Sequence, residues 1–283
     1  MRRCAFLTTD RPEGFVTYDG LLHEPLARRG WAVDEVPWRT ATDWDAYEVV
    51  VIRSPWDYQH APDAFLAVLE TIDRSKARLE NPLDLVRWNL RKTYLRDLEA
   101  RGLPIVPTRW LPRLSPEDLA PLFDTLGEEI VVKPVVGANA DDTFRLRRDS
   151  RPDEALATFA ARACMAQPFV RAVVDEGEFS LFHFGGTYSH AILKTPAAGD
   201  FRVQEEHGGR IRAVAPEPAL HALADAVVGT LGLAPLYART DFVRLDSGFA
   251  LMEVELIEPS LYFSYDADSP ERFAEAFVAR HSM

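Results

Sequence analysis

Apolar residues gather into short blocks over the first eighty positions. Residues 3–8 form one such block, closed by Thr9-Asp10 as a buried strand is closed by a loop. Residues 20–29 place Leu21, Leu22, Pro25, Leu26 and Ala27 on one helical face, and Gly30 stops the helix. Residues 31–36 read as a second strand. Val49-Val50-Val51-Ile52 is an unbroken β-branched run, the pattern of a strand covered on both faces. Residues 62–73 return to a helical period. This β-α-β-β-α order predicts an open parallel sheet, and ligands of such sheets lie beyond the carboxyl ends of the strands. Here those ends are Thr9-Asp10 and residues 53–58.

Further along, a helix is expected over 93–101, closed by Gly102 and Pro104, and residues 111–117 with two prolines form a joint. A helix (116–126), a strand (130–134), a turn-rich loop (137–142), a short strand (143–146), a helix (152–162) and a strand (165–170) follow. The remainder is richer in strands: 178–184, 187–193, 236–245 and 249–257. Phe182-His183-Phe184-Gly185-Gly186-Thr187 reads as a hairpin with a two-glycine turn. Helices are expected at 218–231 and 270–281. The fold class is α/β with α+β character in the C-terminal half. The expected units are an N-terminal α/β domain (1–80), a central unit (81–170) and a C-terminal unit (171–283).

Composition narrows the function. The 283 residues carry 32 Lys+Arg against 44 Asp+Glu, a formal charge of −12. A field of that sign repels polyphosphate backbones and anionic lipid, so neither nucleic acid nor a membrane surface is expected as a partner. Cys4 and Cys164 sit among apolar residues and read as buried thiols. No apolar run reaches the ~18 residues a membrane span needs, and a cytoplasmic protein acting on a small molecule is expected.

The chemistry concentrates on carboxylates. Asp241 lies in one apolar strand, and Glu253 and Glu255 lie in the next, two positions apart and therefore on one side of the sheet. Leu251, Val254 and Leu256 form the core-facing set, and Met252 stands outside it. Acids side by side on an apolar strand need a cation, and hard oxygen donors without His or Cys suit Mg²⁺ beside phosphate oxygens. Opposing cations are available: Lys92 near a helix start, Lys133 after Ile130-Val131-Val132, Lys194 after Ala191-Ile192-Leu193, and Arg202. Cations facing metal-binding acids are the requirement of phosphoryl transfer. Neither a Gly-x-x-x-x-Gly-Lys-Ser/Thr loop nor a Gly-x-Gly-x-x-Gly fingerprint is present.

The order Lys92, Val132-Lys133-Pro134, Gln167-Pro168-Phe169-Val170, Glu178, Lys194, Arg202, Asp241, Glu253-Val254-Glu255 resembles the ATP-grasp superfamily over roughly residues 81–262. Residues 131–146, 188–209 and 251–261 are similar to its small single-chain group of carboxylate–amine ligases, which includes the O-ureido-serine cyclo-ligase of D-cycloserine biosynthesis. The resemblance implies a two-part domain with nucleotide between the parts, behind a preceding α/β domain. It implies ATP-driven activation of a carboxylate as an acylphosphate, which an amine attacks. Lys92 and Lys133 would hold phosphates, Gln167, Pro168, Phe169 and Val170 the adenine, and Glu178 the ribose. Lys194 and Arg202 would be catalytic, meeting the γ-phosphate and the acylphosphate. Asp241, Glu253 and Glu255 would bind two Mg²⁺, or Mn²⁺. Glu255 stands where many members have Asn, and the 137–142 loop is poorer in glycine than most phosphate-covering loops. A homodimer is a further expectation carried from relatives.

For an amino-acid-like substrate, the strand-end rule points to Arg53 as a carboxylate clamp, with Ser54 beside it and Asp57 for an ammonium. His190, His207, Gly208 and Gly209 would line the acceptor pocket, and His183 reads as a strand-surface residue. Three functions remain open on the sequence: intramolecular cyclisation, intermolecular amino-acid or peptide ligation, and a nucleotide-binding regulatory protein without turnover.

Overall fold

A computed structural model describes residues 1–10, 16–232 and 234–282. The N-terminal unit runs β1 (Arg2–Thr8), α1 (His23–Arg28), β2 (Trp31–Pro37), β3 (Val49–Ser54), α2 (Pro62–Asp73) and β4 (Arg78–Glu80). Its sheet has the order β2-β1-β3-β4, with parallel pairing throughout. Both faces are covered, which is why β3 is apolar and buried along its length. Ala5, Leu7, Val50 and Ile52 meet Phe65, Leu69 and Ile72 of α2. These three α2 residues recur at helical spacing, so one stripe faces the sheet.

Two helices, α3 (Leu83–Asn89) and α4 (Tyr94–Ala100), lead into the central unit. That unit comprises β5 (Arg109–Leu111), α5 (Pro116–Leu126), β6 (Glu129–Pro134), β7 (Phe144–Arg147), α6 (Asp153–Phe159) and β8 (Cys164–Pro168). Its antiparallel sheet has the order β5-β8-β6-β7. Helix α5 is framed by local chemistry. Pro116 fixes its first turn, the Ser115 N–H donates to Asp118 at 2.8 Å, and Gly127 at φ 109° ends it.

The C-terminal unit contains α7 (Ala172–Asp175), β9 (Glu178–Phe184), β10 (Thr187–Thr195), β11 (Arg210–Ala213), α8 (Pro218–Gly229), β12 (Tyr237–Leu245), β13 (Gly248–Glu255) and α9 (Ser269–His281). The order of its antiparallel sheet is β11-β10-β9-β12-β13. Gly185 and Gly186 join β9 to β10 with φ of 58° and 84°, the left-handed pair a two-residue hairpin turn requires. One face of this sheet packs on α4 and α8 through Phe179, Leu181, Leu193, Ala224, Phe242 and Val254. The opposite face is divided: Phe182, Phe184, Ile192 and Tyr237 are apolar, while Glu178, Lys194, Arg239 and Asp241 are charged.

The apolar half meets the N-terminal unit. Cys4, Phe6, Val49 and Val51, on the β-sheet face away from α2, share a core with Phe182, Phe184, Phe273 and Phe277. The first sheet is thus completed by α9 from the far end of the chain. Both cysteines are buried and free, and among the described residues no helix is long and apolar enough to cross a membrane.

Asn81, fully buried, fastens this seam. Its side chain donates to the carbonyls of Tyr237 (3.0 Å) and Leu256 (2.8 Å) and accepts from the Leu236 N–H (2.7 Å). An Asn81→Leu substitution leaves three buried backbone groups unpaired, and stability is expected to fall by about 3 kcal/mol or more. Urea unfolding would show this as a lower midpoint at unchanged slope; a loss below about 1 kcal/mol would mean the backbone groups find other partners.

Candidate active site

The site begins with the register of β12 and β13. Arg239 lies opposite Glu255, and Asp241 opposite Glu253, so four charged side chains share one face. One residue on, the register shifts, pairing Phe242 with Leu251 and leaving Met252 as the extra residue of a bulge. Strict alternation would have set Leu251 beside Glu253. The bulge instead sends Leu251 into the core and Met252 into the cleft wall. β9 and β10 supply Ser180, opposite Asp241, and the paired Glu178 and Lys194.

Ion pairs fill the space between these groups. The Lys194 ammonium lies 2.5 Å from Glu178 and 3.6 Å from Asp241. Arg239 donates to Asp241 at 3.0 Å and also to Glu255, and Lys92 pairs with Glu253. Lys92 precedes α4, and its backbone N–H holds the Val135 carbonyl at 2.8 Å, so it arrives beside the end of β6. Lys133, on β6, reaches the same cavity.

Burial and net charge set the protonation balance. Burial raises the Glu255 carboxyl to about 8, with Glu253 and Asp241 adding to the effect and Arg239 opposing it. For Glu253 burial also pushes upward, but Lys92 and Lys133 prevail and hold it below the usual range. Asp241 is held low against burial by Arg239 and Lys194. Burial, reinforced by Lys92, lowers the Lys133 ammonium. The acids outweigh the cations around Glu255, and a further cation would relieve the imbalance.

Asp241, Glu253 and Glu255 line one cavity and offer only hard oxygen atoms, which fits Mg²⁺. Among the described residues no cluster of three His, Cys, Asp or Glu is preassembled around a metal position. Lys92 and Arg239 hold the acids instead, so a metal would enter together with phosphate oxygens.

The first cavity, about 940 Å³ of open space, lies between the central and C-terminal sheets. Its apolar end is walled by Val131, Phe169, Val170, Val173 and Met252. Arg145 stacks on the Phe169 ring at 3.6 Å, and Phe201 meets that ring edge-on at 6.2 Å. Gln167 turns its amide to Thr108 Oγ1 at 3.0 Å. The Phe169 N–H donates to the Glu129 carbonyl (2.9 Å), and Pro168 has no N–H to offer. Arg202 lines this cavity with its guanidinium forked onto Asp200.

The second cavity, about 770 Å³, borders the N-terminal unit and includes Trp56, Tyr58, Glu206, Glu258, Ser260 and Tyr262. Lys92, Lys194, Arg239, Glu253 and Glu255 line both cavities. The glycine-poor 137–142 loop also lines both through Gly137, Ala138 and Asn139. Its Asn139 and Ala140 take positive φ (54° and 58°), and the Asn139 carbonyl lies 3.4 Å from His207 Nε2.

The expected substrate residues are placed elsewhere. Arg53 is buried, bound to Asp19 (2.9 Å) and the Pro259 carbonyl (3.2 Å), and lines neither cavity. Asp57 is engaged by Trp38 Nε1 at 2.7 Å and by Arg39. Ser54 closes β3, and Gly208 and Gly209 form a turn. A Cβ on Gly209 would meet the Val203 carbonyl at 2.1 Å. From the same strand-end stretch Trp56 and Tyr58 do line the second cavity, whereas their charged neighbours Arg53 and Asp57 are held by other side chains. His190 is stacked on Phe182 at 4.3 Å and bound to the Leu261 carbonyl. His183 is not at the surface but fully buried, 3.0 Å from Asp225. Arg239 was missed; its place two residues before Asp241, on the same strand face, was the available signal.

Two sheets gripping a cleft lined by acids, lysines and an apolar slot define an ATP-grasp ligase. The chain is 36% identical to the cycloserine biosynthesis protein DcsG of Streptomyces lavendulae, over 97% of each chain. Residues 4–81 match the model of the D-cycloserine synthetase DcsG N-terminal domain. The crystal structure of D-cycloserine synthetase DcsG superposes with a TM-score of 0.86 at 32% identity, covering 98% of this chain and 99% of that one. A glutathione synthetase of Photorhabdus laumondii is 28% identical over 76% of this chain and 74% of its own. The chain belongs to the DcsG family of ATP-grasp ligases. It is an ATP-dependent enzyme that forms C–N bonds.

Proposed function

We propose that this ligase activates the carboxylate of a small amino-acid-like molecule as an acylphosphate and closes it into a ring with a nitrogen of the same molecule. The observation that carries the reading is the wall common to both cavities, where Lys194, Arg239, Glu253 and Glu255 face a nucleotide-sized slot on one side and a polar chamber on the other. A phosphoryl group leaving the first cavity toward the second passes these side chains.

In this reading the units are 1–80, 81–170 and 171–283, the last two enclosing the nucleotide. Phe169 and Val170 receive the base against Val131 and Met252, with Gln167 and Pro168 shaping the strand. Glu178 takes the ribose hydroxyls, and Lys92 and Lys133 hold the phosphates. Asp241, Glu253 and Glu255 would hold two Mg²⁺, or Mn²⁺ in their place. When bound, the metal neutralises phosphate charge and orients the γ-phosphoryl group.

The substrate carboxylate oxygen attacks the γ-phosphorus and ADP departs. The nitrogen, giving up one proton, then attacks the acyl carbon and phosphate leaves. Lys194, Arg202 and Arg239 offset the negative charge that grows in both steps. Lys194 and Arg239 are placed to serve both steps, because each borders both cavities, whereas Arg202 lines only the first. The acidic surface (net −12) accords with a cytoplasmic small-molecule enzyme that engages neither nucleic acid nor membrane.

ADP and phosphate release with ATP, Mg²⁺ and O-ureidoserine as the sole organic substrate tests this reading. Phosphate is expected without any added amine, and chelation of Mg²⁺ is expected to stop it. Turnover that waits for a separate amine would establish intermolecular ligation instead.

A further inference from the structure

Five consecutive carbonyls on the stretch after β13 are each held by a side chain from another element. Tyr237 Oη lies between the carbonyls of Ile52 (2.6 Å) and Ile257 (2.9 Å) and shares its proton with them, Trp56 Nε1 donates to Glu258 (2.8 Å), and Arg53 Nη2 to Pro259 (3.2 Å). Arg239 Nη1 donates to Ser260 (3.4 Å), and His190 Nε2 lies 3.1 Å from the Leu261 carbonyl. This is how Arg53 acts: it holds a wall of the second cavity from behind. A segment tied at every residue presents its side chains in fixed positions.

The side chain so presented is Glu258, 8% exposed and lining that cavity. The cations there are already matched: Lys92 with Glu253, Lys194 with Glu178, Arg239 with Asp241 and Glu255. Among the described residues Glu258 forms no ion pair, and the Tyr58 hydroxyl is its polar neighbour. Trp56, Tyr58 and Tyr262 line the same cavity, and aromatic faces favour a cation close to a buried acid. A buried carboxylate without a counter-charge is costly, and a ligand cation removes the cost.

We propose that Glu258 binds the α-ammonium group of the substrate, with Trp56, Tyr58 and Tyr262 around it, and so selects for a free amino group. The assignment rests on the ligase reading above and replaces Asp57 in the ammonium role. Glu258→Gln keeps the shape and removes the charge. ADP release titrated with O-ureidoserine is expected to show KM raised about 10- to 100-fold, the range for a lost charge-assisted hydrogen bond. KM for ATP and the thermal midpoint are expected to stay near those of the parent, and Glu258→Asp to recover part of the affinity. The parent enzyme should discriminate against N-acetyl-O-ureidoserine, and the Gln variant should lose that discrimination. A folded Glu258→Gln protein with KM for O-ureidoserine within about threefold of the parent overturns the assignment and leaves the ligase reading standing. A parallel rise in KM for ATP overturns it as well. A parent enzyme that releases no ADP with O-ureidoserine or any other α-amino acid overturns the ligase reading, and this assignment with it.

Discussion

Arg239→Lys is expected to lower kcat by about 10²- to 10³-fold, the loss typical of removing one preorganised donor to a developing oxyanion. Arg239 is a buried cation on the wall between the two cavities, beside Lys194, and its planar fork reaches Asp241 and Glu255 together. Lysine keeps a positive charge between those acids, which avoids the about 3–5 kcal/mol penalty for stranding a buried charge, so the fold is expected to survive. A point ammonium cannot reproduce the planar set of directed donors that serves Asp241, Glu255 and the Ser260 carbonyl at once. The loss is therefore expected in kcat, with KM for ATP moving little, because the apolar slot and Lys133 are untouched. Steady-state ADP release on a variant of unchanged thermal midpoint decides it. A kcat within about threefold of the parent would show that charge alone is needed at this position.

What the sequence made legible was what burial writes locally. Val49-Val50-Val51-Ile52 announces a doubly covered strand, and the two-glycine hairpin and the Pro116-to-Gly127 helix carry their own boundaries. Strand β11 escaped notice because Arg210-Ile211-Arg212-Ala213 is a largely exposed edge strand of only four residues, too short for its polar–apolar alternation to stand out. Helix α3 is only seven residues long and lies directly after Asn81-Pro82, where a turn was the simpler reading. The packing of α9 onto the first sheet joins residues more than two hundred positions apart and leaves no local trace.

Within the site, the acids and lysines were visible because charge on an apolar strand is conspicuous. Arg239 was not, since arginine supplies most of the positive charge throughout the chain. Arg53 misled for the same reason that it is useful. It sits at the end of a buried strand, as a ligand-binding residue would, but Asp19, thirty-four positions earlier, folds against it and fixes it as a support for the 257–261 segment. The bulge at Met252 explains why Leu251 could join the core-facing set although it lies two residues from Glu253.

Glu253→Gln is expected to abolish turnover, with kcat/KM down by about 10³-fold or more, since both metal binding and charge placement on the γ-phosphoryl group depend on this oxygen. Its stability effect is expected to be small because two changes oppose one another. The amide removes a buried charge that repels Asp241 and Glu255, but it leaves Lys92 without its acid. Burial alone pushes a carboxyl upward, yet Glu253 is held ionised by Lys92 and Lys133. Its contribution to stability is therefore present above the unfolded carboxylate pKa, near 4.3, and lost as pH falls through the lower folded value. In the Gln variant that acid-side loss should disappear from a plot of thermal midpoint against pH. A second readout avoids activity altogether. Mg²⁺ added with ATP should raise the midpoint of the parent protein through ligand linkage, and should raise that of the Gln variant far less. Equal Mg²⁺-dependent stabilisation in both proteins, or turnover within about tenfold of the parent at saturating Mg²⁺, would remove Glu253 from the metal site and leave Asp241 and Glu255 to hold the ion without it.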